Sequence, residues 1–158
     1  MILSLEPVFQ QTDGSLPFDY SFALEDPLIG SPVRVVGSVY NKTGIVHLEA
    51  TADYTLVAEC ARCSSPIRKT VTVPVSHVLI THENEEDSDE YIVVDGAQLD
   101  LDALTAEDIF LAMPSRFLCS EDCKGLCPYC GADLNTTTCA CKAPGDPRFD
   151  VLRSLMNE

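Results

Sequence analysis

The residues in this chain best suited to chemistry are its eight cysteines, and their spacing points to metal ligation. The most telling run is Cys127-Pro128-Tyr129-Cys130-Gly131, followed by Cys139-Ala140-Cys141. Two residues between cysteines let one tight turn aim both sulfurs at a common point. The glycine just after the second cysteine permits the positive φ that such a knuckle requires. The return through Leu134-Asn135-Thr136 is long enough to bring back a second pair. Four thiolates at about 2.3 Å then complete a tetrahedron around a metal ion. The single residue between Cys139 and Cys141 is short for a zinc ribbon but feasible where the chain turns at the metal.

The other four cysteines are less regular. Cys60-Ala61-Arg62-Cys63 falls where one strand-like run ends and the next begins, at a hairpin tip closed by Ser64-Ser65-Pro66. That pair lacks two ligands, and Cys119-Ser120-Glu121-Asp122-Cys123 can supply them. The expectation is a second site of Cys60, Cys63, Cys119 and Cys123 that staples a sheet to a C-terminal module. On spacing alone these thiols can also be free, form a redox pair, or be allocated differently, with Cys123 joining the C-terminal knuckle. Ligand softness and tetrahedral geometry favour zinc, two ions per chain; the same ligand set also accommodates an iron–sulfur cluster. With four protein ligands each, both sites have no open position for an activated water and read as structural.

The elements that must position these residues are legible from periodicity. Residues 1–81 read as strands. Val33, Val35, Gly37 and Val39 alternate with Arg34, Val36 and Ser38, and Asn41-Lys42-Thr43-Gly44 makes a turn. Val46, Leu48, Ala50, Ala52, Tyr54 and Leu56 then keep a period of two, and Ile67, Val71, Val73, Val75 and Leu79 share one face of a further run. Pro74 predicts an edge or a bulge in that run. The acid-rich stretch Glu83–Glu90 reads as a solvated loop, and Tyr91-Ile92-Val93-Val94 as one more strand. Asp100 or Asp102 is suited to cap a helix running to about Met113, where Pro114 ends it. Leu101, Leu104, Ile109, Leu111 and Ala112 are expected to form its apolar side. Asp146-Pro147-Arg148 predicts the start of a short helix over about 147–156.

The expected fold class is therefore α+β. A mainly antiparallel, sheet- or barrel-like β-rich core with its covering helix (about 100–113) takes residues 1–113. A small cysteine-rich, zinc-bound module takes residues 114–158.

Composition narrows the function. The chain has 158 residues and a net charge of −15, from ten Lys and Arg against 25 Asp and Glu. Residues 1–112 hold five of the basic and nineteen of the acidic residues, so nearly all of the imbalance lies there. Such a body repels phosphate backbones and suits a basic protein partner. No run is long and apolar enough for a membrane helix, and the first residues lack a positive leader and a cleavage site. The reading is thus of a cytoplasmic protein, where thiols stay reduced and eight cysteines mean metal rather than disulfides. No phosphate-cradling glycine loop is present, and His47, His77 and His82 lack a spaced catalytic partner, which argues against an enzyme and a small-molecule substrate. Arg62, Arg116, Lys124 and Lys142 lie beside the cysteines. They read first as offsetting thiolate charge and secondarily as a contact patch.

Taken in order, several of these residues resemble the YceD-like family of large ribosomal RNA subunit accumulation proteins. The resemblance rests on Ser31-Pro32-Val33, Cys60-Ala61-Arg62-Cys63, Leu99-Asp100-Leu101, Leu111-Ala112-Met113-Pro114 and Asp146-Pro147-Arg148. Its longest part is the block from Cys119 to Asn135, Cys-Ser-Glu-Asp-Cys-Lys-Gly-Leu-Cys-Pro-Tyr-Cys-Gly-Ala-Asp-Leu-Asn. The resemblance implies a β-rich N-terminal part, a role in accumulation or processing of the large-subunit (23S) ribosomal RNA, and a link to a small basic ribosomal protein. Two functional readings follow. One is a non-enzymatic assembly factor that binds a basic ribosomal protein or its RNA site. The other is a thiol-based redox or zinc sensor, or a zinc reservoir.

Overall fold

The computed structural model of the protein describes residues 1–81 and 91–141. The acid-rich segment 83–90, the helix expected over 147–156 and Lys142 lie outside the described residues. The chain divides into two compact units, one of residues 1–58 and 67–115, the other of residues 59–66 and 116–158. The tip carrying Cys60 and Cys63 therefore groups with the other six cysteines.

The first unit is α+β. Its elements are β1 (Ile2–Ser4), α1 (Glu6–Gln10), β2 (Ser15–Phe22), β3 (Val33–Lys42), β4 (Ile45–Glu59), β5 (Pro66–Ile80), β6 (Tyr91–Val93), β7 (Gln98–Asp100) and α2 (Leu101–Ala112), with the ends of β4 and β5 running into the second unit. Five strands form one sheet in the order β2-β3-β4-β5-β6, and β1 pairs with β7 in a separate two-stranded ribbon. Among the described residues the large sheet is open rather than closed into a barrel. Its β2–β3 and β3–β4 pairs are antiparallel, but β6 runs parallel to β5.

The period-two pattern is realised directly. Val33, Val35 and Val39 of β3 point into the core with Val46, Leu48, Ala52, Tyr54 and Leu56 of β4 and Ile67, Val73, Val75 and Leu79 of β5. Burying one face of each strand in this way is what fixes its register, since a slip by one residue would turn every apolar side chain to water. The β3–β4 turn is tight, with Thr43 at φ 55 and Gly44 at φ 90, the mirror-image geometry that suits the twist of a hairpin. Buried Asn41 anchors it: its Oδ1 accepts from the Gly44 N–H, and its Nδ2 donates to the Val8 carbonyl of α1. Pro74 sits on β5 beyond the reach of β6, whose pairing covers only Val78–Ile80, so its missing N–H disrupts no pairing on that side.

Helix α2 begins where Asp100 Oδ1 accepts from the Asp102 and Ala103 N–H groups, so Asp100 is the cap rather than Asp102. Leu101, Leu104, Thr105 and Ile109 are its buried residues. Leu111 is 85% exposed and Ala112 is also exposed, which corrects the expected apolar side. Leu111 follows buried Leu104 by seven residues, only about 20° off its direction at 3.6 residues per turn, so its exposure goes with its place in the last turn of the helix and not with its angle. His77 of β5 and Asp108 of α2 are joined at 2.8 Å, tying helix to sheet. Among the described residues no helix is long and apolar enough to cross a membrane.

Candidate metal centres

The second unit gathers all eight cysteines into two groups, Cys60, Cys63, Cys119 and Cys123, and Cys127, Cys130, Cys139 and Cys141. Within each group the sulfur atoms lie within 4.8 Å of one another. Cys60 and Cys123 Sγ are 3.7 Å apart, Cys63 and Cys119 Sγ 3.6 Å, and Cys127 and Cys139 Sγ 3.3 Å. A regular tetrahedron with metal–sulfur bonds of about 2.3 Å has edges of about 3.8 Å. The two pairs of the first group match that figure closely, and the Cys127–Cys139 pair of the second is somewhat shorter. Four soft donors converging on one point are the donor set of a structural zinc site.

Each group is organised by a knuckle, and the two knuckles share one hydrogen-bond pattern. In the first, the Ser64 N–H donates to the Cys60 carbonyl at 2.9 Å and the Cys60 N–H donates to the Ser65 carbonyl at 2.9 Å. In the second, the Gly131 N–H donates to the Cys127 carbonyl at 2.9 Å and the Cys127 N–H donates to the Ala132 carbonyl at 2.8 Å. The residue after the second cysteine has positive φ in both, 57 at Ser64 and 72 at Gly131. The glycine requirement was readable at Gly131. At Ser64 the same backbone is imposed on a residue that pays a conformational penalty for it.

Electrostatics sets the cysteines of each group apart. Backbone N–H groups around Cys119 and Arg62 hold the Cys60 thiol down at about 6, and those of Cys130 and Tyr129 hold Cys127 at about 6. The later cysteines go the other way. Cys119 is pushed up to about 12, first by its hydrogen bonding to Cys123, and Cys141 to about 12, first by its hydrogen bonding to Cys130. Cys139 is raised through Cys127. One thiolate per group is readily formed, while a complete set of four close negative charges needs a cation to hold it together.

The two groups differ in exposure. Cys60, Cys63 and Cys123 are buried and only Cys119 is exposed. In the second group only Cys127 is buried; Cys130 and Cys141 are exposed and Cys139 is intermediate.

Three supporting residues lie between the pairs. Arg62 donates through Nη1 to the carbonyls of Cys123 at 2.7 Å and Glu121 at 3.3 Å, so its guanidinium clamps the Cys119–Cys123 turn. The Arg62 carbonyl accepts from the Leu126 N–H at 3.1 Å. Gly125, at φ +74, passes so close that an added Cβ would lie 2.8 Å from that carbonyl oxygen. Asn135 accepts from the Lys124 N–H at 2.8 Å and donates to Cys123 Sγ at 3.5 Å and to Asp133 at 2.8 Å. In the sequence Arg62 stands out by its charge, whereas Gly125 and Asn135 do not stand out by type; the unbroken run Lys124-Gly125-Leu126 between two cysteines is the one signal pointing to Gly125. Arg116 and Lys124 are both exposed.

Residues 48–156 match the family described as Large ribosomal RNA subunit accumulation protein YceD. An uncharacterised protein of Mycobacterium tuberculosis is 33% identical over 105 residues, covering 63% of this chain and 50% of the relative. A second, from Mycobacterium leprae, is 30% identical over 113 residues, covering 66% and 50%. A maize protein named Large ribosomal RNA subunit accumulation protein YCED homolog 1, chloroplastic, is 26% identical over 144 residues, covering 71% and 49%. The chain spans about half the length of the curated relatives it matches. No solved structure matches it significantly.

Proposed function

The chain belongs to the YceD family, and on that premise we propose that it is a non-enzymatic factor supporting accumulation or processing of the large-subunit (23S) ribosomal RNA and assembly of that subunit. The observation that carries the reading is the family match, which spans both cysteine groups. In this reading the second unit is held by two structural zinc ions, one on Cys60, Cys63, Cys119 and Cys123 and one on Cys127, Cys130, Cys139 and Cys141. Both sites are closed, so the zinc supplies folding energy rather than catalysis.

The first unit supplies the partner surface. It carries four Lys and Arg against eighteen Asp and Glu, so it holds nearly all of the chain's net negative charge. A basic ribosomal protein is the partner such a body attracts, through salt-sensitive association, and the protein works in the cytoplasm where ribosomes are assembled. The exposed basic residues beside the cysteines, Arg116 and Lys124, are left for a contact with the RNA site of that protein. The test is to purify the tagged chain from cells at low and high salt and to measure large-subunit RNA in a strain depleted of it. Co-purification of a basic large-subunit protein, lost at high salt, together with a fall in large-subunit RNA relative to small-subunit RNA, is expected. Normal RNA levels and no large-subunit component would overturn the reading.

The exposure of Cys130 and Cys141, with Cys139 half-buried, favours a second reading, a thiol-based sensor or zinc reservoir. It predicts that mild peroxide releases zinc from the second group while the sheet stays folded; zinc retained under such oxidation removes it.

A further inference from the structure

We infer that Asn135 couples the two metal centres, so that filling the second cysteine group strengthens the hold of the first on its ion. The inference rests on the reading of both groups as zinc sites. Asn135 belongs to the return loop between Cys130 and Cys139, so its position depends on the second group closing. Its side chain nevertheless acts on the first group. The carboxamide Nδ2 donates to Cys123 Sγ at 3.5 Å, and an N–H donor to a thiolate sulfur stabilises the charged, ligating form. Its Oδ1 accepts from the Lys124 N–H at 2.8 Å, which fixes the backbone next to Cys123.

The loop that presents Asn135 is itself tightly specified. Asp133 Oδ1 accepts from both the Asn135 N–H at 2.9 Å and its Nδ2 at 2.8 Å. The Leu134 N–H donates to the Gly125 carbonyl at 3.0 Å, and Leu126 pairs with Asp133. Gly125 in turn lies against Arg62, inside the first knuckle. A single tripeptide, Lys124-Gly125-Leu126, separates Cys123 of one centre from Cys127 of the other. Ordering the second centre therefore places the donor that Cys123 needs. Without that centre, the donor must be ordered at the first centre's expense. Coupling of this kind is reciprocal: loading the first centre must favour the second by the same factor.

The experiment uses the full chain, loaded with zinc and challenged with rising concentrations of a chelator, the release from each centre being read by peptide-resolved alkylation of its cysteines. Removing the second centre by C139S/C141S is expected to let the first release its ion at roughly tenfold lower chelator or less, the scale of a lost supporting contact to a metal ligand. Asn135→Ala is expected to shift the first centre by a similar factor with the second still loaded, and adding C139S/C141S to it to cause little further shift. C60S/C63S should weaken the second centre by the factor that C139S/C141S costs the first. Asn135→Asp has the same shape and keeps the acceptor for Lys124 but has no N–H to offer Cys123. It is expected to weaken the first centre at least as much as Asn135→Ala, and it decides the question if the alanine variant fails to fold. A first centre unmoved by Asn135→Asp, or shifts from Asn135→Ala and C139S/C141S that simply multiply, would overturn the coupling. A wild-type chain that holds fewer than two zinc ions would instead overturn the metal reading beneath it.

Discussion

Gly125 offers the sharpest quantitative test of how the second unit is built. Two glycines there have nearly the same backbone, φ +74 at Gly125 and φ +72 at Gly131. Placing an L-residue in that region costs about 1 kcal/mol at either position. Their surroundings differ. Around Gly131 no described residue lies within 4 Å of an added Cβ, whereas at Gly125 the Cβ would stand 2.8 Å from the Arg62 carbonyl oxygen and 3.2 Å from the Arg62 Cβ. The nearest atom is backbone and cannot swing aside, so the bond from the Leu126 N–H to that carbonyl has to stretch or break. Losing it adds about 1 kcal/mol, and the displaced knuckle somewhat more. Gly125→Ala should therefore cost about 2–3 kcal/mol and Gly131→Ala about 1 kcal/mol. If the cysteine groups hold zinc as proposed, ligand binding and folding are one process in this module, and the costs emerge as zinc affinity, lowered roughly 30- to 150-fold by the first substitution and about fivefold by the second. Competition between the full-length protein and a chromophoric chelator measures both. Equal losses for the two variants would refute the close approach of Gly125 to the first knuckle.

Other consequences are as direct. Ser64→Gly should raise zinc retention at the first centre, because it removes about 1 kcal/mol of left-handed strain at φ 57; the chelator competition should show tighter, not weaker, binding. Ile109→Ala should destabilise the first unit by about 2–5 kcal/mol. Leu111→Ala, at a residue 85% exposed, should change it by less than about 0.5 kcal/mol, both read from urea unfolding followed by circular dichroism. Burial, with the Asp102 carboxylate beside it, holds the Tyr20 phenol above its ordinary value of 10.0. A raised folded-state value means that this contribution to stability is complete below pH 10 and is lost as pH rises toward the folded-state value. Tyr20→Phe should accordingly lose less stability than the wild type on going from neutral to strongly alkaline pH in the same unfolding assay.

Much of this architecture was legible because single-residue rules were sufficient. The alternation along Val46–Leu56 maps onto buried and exposed faces of β4 because only one face of the open sheet meets the core. Asp100 and Pro114 mark the two ends of α2 through a cap and a missing donor. The C-x-x-C pairs were visible for the same reason: ligand chemistry demands a local geometry, and local geometry leaves a spacing. What escaped was set by partners distant in sequence. β1 and β7 are only three residues long and exist because Ile2–Ser4 finds Gln98–Asp100. The parallel direction of β6 depends on its seat beside Val78–Ile80, which no local pattern in Tyr91–Val94 encodes. Ser64 carries no glycine to announce its positive φ, and Asn135 looks like an ordinary loop residue until Lys124 and Cys123 are brought to it. Leu111 shares the helical direction of buried Leu104, so type and angle both point it inward, and only its place in the last turn of α2 leaves it exposed.

Both the proposed role of the second unit and the coupling through Asn135 require the two cysteine groups to be loaded, closed metal centres. Native mass spectrometry of the full-length chain, purified without chelators and followed by titration with a thiol-reactive chromophore, tests this most directly. Two zinc ions per chain, with the eight cysteines unreactive until a chelator is added, is the predicted result. One ion or none, with four or more thiols reacting at once, would contradict it.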